Sequence, residues 1–237
     1  MNDEIAILMA AGKGERMRPI TLTTPKPLVK VHGTSMIDTV IRGLEYRGVK
    51  KIYVVVGYLG EQFANLPEKY PNLELVKNTE FTVKNNISSI HAVADLMGKE
   101  DCFICEADLV VSDPSIFDVN LKKSCYYGKM IKGHSDDWVF DQDENGRITR
   151  VGKCGDDVYN MCGVCYLKKE DAKVIAEAVK EAYQHPGHEQ LFWDEIVDQQ
   201  LDHIDLTVHP VRNDQIVEID SVSELQAIDP VYAAEAV

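Results

Sequence analysis

A glycine-spaced loop, a set of cations and three carboxylates carry most of the chemistry legible in this chain. Ala10-Ala11-Gly12-Lys13-Gly14-Glu15-Arg16 follows a short apolar run, and Pro25-Lys26-Pro27 lies close behind. Gly12 and Gly14 let a backbone approach an anion and turn its N–H groups inward. Arg16 offers a planar fork for phosphate oxygens, whereas Lys26 is a compact charge after a stiff proline. The loop lacks the Gly-Lys-Ser/Thr ending of a Walker A motif and the third glycine of a dinucleotide fingerprint. It is a phosphate cradle of another kind.

The carboxylates suit a hard cation. Asp108 follows the apolar segment 102–105, and Glu218 and Asp220 stand at i and i+2 of the late segment 216–220. On a strand that spacing turns both side chains to one face. Mg²⁺ takes a few such oxygens and completes its shell with phosphate and water. Asp220 also stands where a helix cap is due, so capping is its competing role.

These groups need elements to hold them. Apolar periodicity predicts strands over 5–9, 51–56, 73–76 and 102–105, alternating with helices over 36–46, 61–69 and 87–96. That alternation predicts an α/β fold with a mostly parallel sheet flanked by helices. Such sheets bind ligands beyond the carboxyl ends of their strands, where both the loop and Asp108 fall. The middle of the chain changes character, with strands expected over 124–131, 137–140, 148–151 and 158–167 in a more antiparallel region. Helices over 169–183 and 189–201, strands over 204–211 and 216–219, and a helix from Ser221 complete the reading. One domain spanning 1–237, with a small β/α lobe, is expected.

Composition narrows the partners. The net charge is −14 at 45% hydrophobic and 27% charged residues, which argues against nucleic acid or an anionic membrane. No apolar run reaches the length of a membrane span, and the acidic start is unlike a signal peptide, so a cytoplasmic protein is expected. Of six cysteines, Cys102/Cys105 and Cys162/Cys165 form Cys-x-x-Cys pairs. Both lie in strand-like runs, where residues three apart face opposite sides, so they are expected to pack as thiols and not to chelate zinc.

Ala10-Ala11-Gly12-x-Gly14-x-Arg16-Met17-x-Pro19-x-Thr21, with Pro25-Lys26-x-Leu28 behind it, resembles the signature of the sugar-phosphate and phosphocholine nucleotidyltransferases. The resemblance runs along nearly the whole chain and implies their Rossmann-like fold, that of the nucleotide-diphospho-sugar transferases. It also implies Mg²⁺ on Asp108, Glu218 and Asp220, with Arg16, Lys26 and Asp108 as the catalytic set. Glu15 departs from the family's Ser or Thr and is expected to point away from the phosphates.

Asn85, Asn86 and Ser88 read locally as a turn and helix start. The resemblance places them beside cytosine and ribose, with Ala10, Ala11, Gly12, Lys13 and Gly14 on the phosphates. Trp138 and Trp193, each beside an aspartate, suit a quaternary ammonium, which binds aromatic faces. With Asp194 and Tyr159 they form the expected acceptor site, although helix packing competes for Trp193. The expected activity is CMP transfer from CTP to phosphocholine. The alternatives are 2-aminoethylphosphonate, whose primary ammonium would sit on carboxylates such as Asp194, Glu195 or Asp136, then a sugar 1-phosphate, then a non-catalytic nucleotide-binding module.

Overall fold

The computed structural model describes residues 2–234. Its centre is β1 (Asn2–Ala10), whose run Ala6-Ile7-Leu8 is fully buried. Burial on both faces explains why this strand reads as continuously apolar. Ala6, Leu8 and Ala10 enter one core layer, Ile5 and Ile7 the other. A two-stranded ribbon, β2 (Lys30–Val31) and β3 (Thr34–Ser35), leads into α1 (Met36–Arg47). That helix buries Ile37, Val40, Ile41 and Leu44, one stripe at helical spacing. Each such side chain contributes about 1.5–3 kcal/mol on leaving water.

The parallel part of the sheet is β6 (Asp101–Glu106), β1, β4 (Val49–Val56) and β5 (Leu73–Lys77), in that order. β11 (Tyr159–Leu167) adds to β6 antiparallel and brings the hairpin β9 (His134–Gln142) and β10 (Ile148–Asp156) with it. β8 (Ser124–Met130) pairs with β11 and with β12 (Leu206–Pro210). The sheet is therefore mixed and mostly parallel at its centre, with helices against it, as expected. Among the described residues no helix is long and apolar enough to cross a membrane. Cys105 and Cys162 enter one core layer, Cys102 and Cys165 the other, as strand alternation requires.

Three predicted helices differ. The stretch 61–69 is a 3₁₀ turn (Gly60–Phe63) followed by the separate α2 (Leu66–Lys69). Pro67 lacks an N–H and its ring would strike the carbonyl four residues back, so no continuous helix can run through it. α3 covers Ile87–His91 and then tightens into i→i+3 turns through Met97. α4 (Lys169–Ala182) matches its prediction, but α5 covers only Trp193–Gln199. Leu191 and Phe192 are extended, and the Glu195 carboxylate accepts from the Phe192 N–H at 2.7 Å, starting α5 there.

A short antiparallel ribbon decides where the late carboxylates go. β13 (Ile216–Glu218) pairs with β7 (Leu109–Val111), setting Glu218 opposite Leu109, next to Asp108. Beyond it Ile219 is fully buried with Met17, Val29, Met36 and Leu225. This cluster pins the late segment to the glycine-loop region. Ser221, not Asp220, caps α6 (Val222–Ile228), accepting from the Glu224 N–H at 3.2 Å. The capping role is taken, which leaves the Asp220 carboxylate free of it. The last helix, α7, is Val231–Ala234.

Ile219→Ala is expected to lower the unfolding free energy by about 2–4 kcal/mol in urea denaturation, through lost burial and a cavity. A loss well under 1 kcal/mol would show that the cluster does not hold this segment.

Candidate active site

The glycine loop leaves β1 at its carboxyl end. Gly14 is left-handed at φ 59°, and a Cβ there would meet Lys26 Cβ at 2.9 Å. Glycine is required on both grounds. Met17 is buried beneath the 3₁₀ turn, and Thr21 Oγ1 donates to the Gly14 carbonyl at 2.8 Å. The 57–63 segment braces the loop from behind: the Tyr58 N–H donates to Ala11 and its hydroxyl to Thr21.

Lys26 is buried, and its ammonium lies 2.6 Å from Asp108 Oδ2 and 2.7 Å from Asp220 Oδ1. Arg16, largely exposed, reaches the same Asp220 oxygen at 2.8 Å. Thus four predicted residues from three distant parts of the chain meet at one point. Burial opposes the Lys26 charge, but Asp108 and Asp220 outweigh it and hold the ammonium above its ordinary range. Burial likewise opposes ionisation of Asp220, yet Lys26 and Arg16 hold that carboxyl low. Glu218 differs: burial, then the charges of Asp108 and Asp220, push it up. Two hard-oxygen carboxylates already share a cation here, and Glu218 stands beside them. Among the described residues no three His, Cys, Asp or Glu are grouped so as to hold a metal ion by themselves.

A cleft of about 430 Å³ opens over this point, a size suited to a small ligand. Ala10, Ala11, Gly12, Gly14, Arg16 and Lys26 wall one side; Asn85, Asn86 and Ser88 wall another; Asp108, Glu218 and Asp220 form a third. Lys13 is not among the described lining residues. Glu15 does line the rim, but its carboxylate is paired with Arg18 at 2.9 Å.

Asn85 and Asn86 do more than start a helix. The Asn85 amide donates to the Gln190 carbonyl at 3.1 Å, and Asn86 Oδ1 accepts from the Trp193 N–H at 2.9 Å. They clasp the start of α5 to the cleft. Ser88 donates to the Asn85 carbonyl and accepts from Asn78, a buried residue that closes this wall. Asn78, Phe81, Lys84 and Glu106 also line the cleft and were missed in the sequence reading. Asn78 and Glu106 were findable, since each sits at the carboxyl end of a parallel strand.

Beside the cleft, sharing Met9 and Glu106 with it, is a cavity of about 10 Å³ walled also by Tyr126, Met161, Trp193 and Asp194. Trp193 is buried core on one side, 5.9 Å from the Tyr126 ring, and cavity wall on the other. Asp194 is 3% exposed and accepts from the Tyr126 hydroxyl at 2.9 Å. Burial pushes its carboxyl up to about 7, which that hydrogen bond only partly offsets. Trp138 and Tyr159 are not among the described residues lining either space. Trp138 stands edge-on to Phe192 at 5.4 Å, with the Lys153 ammonium 5.7 Å from its ring centre. Glu195 is committed to the Phe192 N–H, and Asp136 lies on the exposed hairpin beside His134 at 3.2 Å.

A carboxyl whose folded pKa exceeds its unfolded value costs stability as pH rises through that interval. Asp194→Asn is expected to stabilise the protein by on the order of 2–4 kcal/mol at pH 8, a gain that shrinks as pH falls from 7 toward 4. A gain independent of pH in denaturation curves would show that Asp194 is not an ionisable buried group.

Known proteins share this sequence and fold. Residues 6–148 match the MobA-like NTP transferase domain. The chain is 54% identical over 227 residues to a 2-aminoethylphosphonate cytidylyltransferase of Lancefieldella rimae, covering 96% of this chain and 92% of that protein. It is 29% identical to a choline-phosphate cytidylyltransferase of Streptococcus pneumoniae, covering 97% and 99%. The solved structure of a CTP:phosphocholine cytidylyltransferase from Streptococcus pneumoniae superposes with a TM-score of 0.88 at 27% identity, covering 97% and 99%. The chain belongs to the MobA-like NTP transferase family and is a nucleotidyltransferase related to its cytidylyltransferases.

Proposed function

We propose that the protein transfers CMP from CTP to 2-aminoethylphosphonate, releasing pyrophosphate. The observation that carries this reading is the relative of that name, alike over nearly the full length of both chains. The acceptor side agrees with it. A quaternary ammonium needs open aromatic faces, yet Trp138 already has Phe192 and Lys153 against it. The adjoining cavity has room for roughly one water-sized group, and its polar wall is carboxylate. A primary ammonium fits that space and charge; a trimethylammonium does not. Phosphocholine, the acceptor first expected, is therefore placed second.

The acidic wall would repel a triphosphate that arrived alone. Asp108 and Asp220, with Glu218 beside them, would hold a divalent cation such as Mg²⁺, which would supply the missing positive charge to the phosphates. The donor set fits: hard oxygens on one side, open cleft on the other. Lys26 and Arg16 line the same cleft, within reach of a triphosphate bound there. The loop N–H groups and these two cations hold the α-phosphorus for in-line attack by an acceptor phosphonate oxygen. A P–O bond forms to the α-phosphorus as the bond to the β-phosphate bridging oxygen breaks, and pyrophosphate leaves. Catalysis is then positioning plus charge neutralisation.

With CTP and Mg²⁺, pyrophosphate release is expected to give 2-aminoethylphosphonate a kcat/KM at least about tenfold above phosphocholine, a difference of 1.4 kcal/mol or more. The opposite order would reverse the acceptor assignment. Lys26→Met is expected to lower kcat by about 10²–10³-fold, and Asp108→Asn to abolish turnover with the fold intact. Chelation should stop the reaction and added Mg²⁺ restore it; turnover unaffected by chelation would remove the metal.

A further inference from the structure

Glu106 ends β6, and neither the phosphate cradle nor the metal set uses it. It lines both the main cleft and the small cavity, so it stands at the doorway between them. Its place is built. Gly163 on β11 is left-handed at φ 66°, at an irregularity in the β8–β11 ladder, and a Cβ there would meet Glu106 Oε2 at 2.7 Å. Only glycine leaves that carboxylate its position. Among the described residues Glu106 makes no side-chain hydrogen bond or ion pair. The nearby Lys26 is committed to Asp108 and Asp220. Across the same cavity stands Asp194, 3% exposed, one oxygen held by the Tyr126 hydroxyl.

Two carboxylates on one water-sized space, with no cation of the protein's own between them, call for a cation from outside. The spacing suits the acceptor. Glu106 precedes Asp108 by two residues, so their α-carbons lie at most about 7 Å apart. A phosphonate beside Asp108 would extend a two-carbon arm of roughly 4 Å toward Glu106.

We propose that Glu106, together with Asp194, binds the primary ammonium of the acceptor and sets the preference for an aminoalkyl phosphonate over an uncharged one. This rests on the acceptor reading given above. Glu106 receives the ammonium at the cavity mouth, and Asp194, oriented by Tyr126, receives it at the back. Met161 and Trp193 exclude water and leave no room for methyl groups on nitrogen.

The test compares 2-aminoethylphosphonate with 2-hydroxyethylphosphonate, which keeps the phosphonate and arm length but lacks the charge. Glu106→Gln is expected to raise the KM for 2-aminoethylphosphonate about 30-fold or more, leave the KM for CTP and the Mg²⁺ dependence near wild type, and shrink the kcat/KM ratio between the two acceptors. Glu106→Asp, keeping the charge on a shorter arm, should recover part of that ratio, and it carries the test should the glutamine variant misfold. An unchanged ratio, or equal losses with both acceptors, would overturn the assignment and leave Glu106 a support for Asp108. Should the wild-type enzyme prefer phosphocholine, the acceptor reading itself fails, a result separate from any effect of Glu106→Gln.

Discussion

A single ammonium, that of Lys26, ties together carboxylates separated by more than a hundred residues in sequence. Asp108 and Asp220 both touch it, and Arg16 closes the group through Asp220. Two adjacent carboxylates would otherwise repel one another at the end of a parallel strand. The lysine neutralises them both.

The rest of the molecule can be understood as what keeps that point assembled. Gly14 has no side chain so that Lys26 can pass close by. The ribbon between β7 and β13 sets Glu218 against Leu109, and buried Ile219 draws the following Asp220 toward the loop. Ser221 takes the helix cap, sparing Asp220. On the opposite wall, Asn85 and Asn86 join the cleft to the start of α5. The small cavity beside the cleft is walled in part by two carboxylates, Glu106 and Asp194.

Much of this was legible in the residues alone. The loop Ala10–Arg16 carries its own conformational demand, because glycines at 12 and 14 followed by cations have few other uses. The run 5–9 could only be a buried strand, and alternation of strands and helices through residue 106 implied parallel pairing. Asp108 was readable because ligand sites lie beyond the carboxyl ends of such strands. These are local facts, set by backbone geometry within a few residues. Glu218 and Asp220 were expected as a pair on one strand face, but the strand ends at Glu218, and it is buried Ile219 that carries Asp220 to the site.

Tertiary structure decided what depends on contacts between distant segments. Whether Trp138 offers an open ring depended on Phe192 and Lys153, which come from other elements and stand beside it. Asp194, Glu195 and Asp136 were equivalent as residue types; folding gave them a cavity wall, a helix start and an exposed hairpin. Glu106 could be placed at the end of a strand, but its second wall appeared only when β11 brought Gly163 against it and α5 brought Asp194 to the same cavity. Residue type and period determine which chemistry is available and on which face of an element it lies. Which of those groups meet, and which are left without a partner, is settled by packing between elements far apart in the chain.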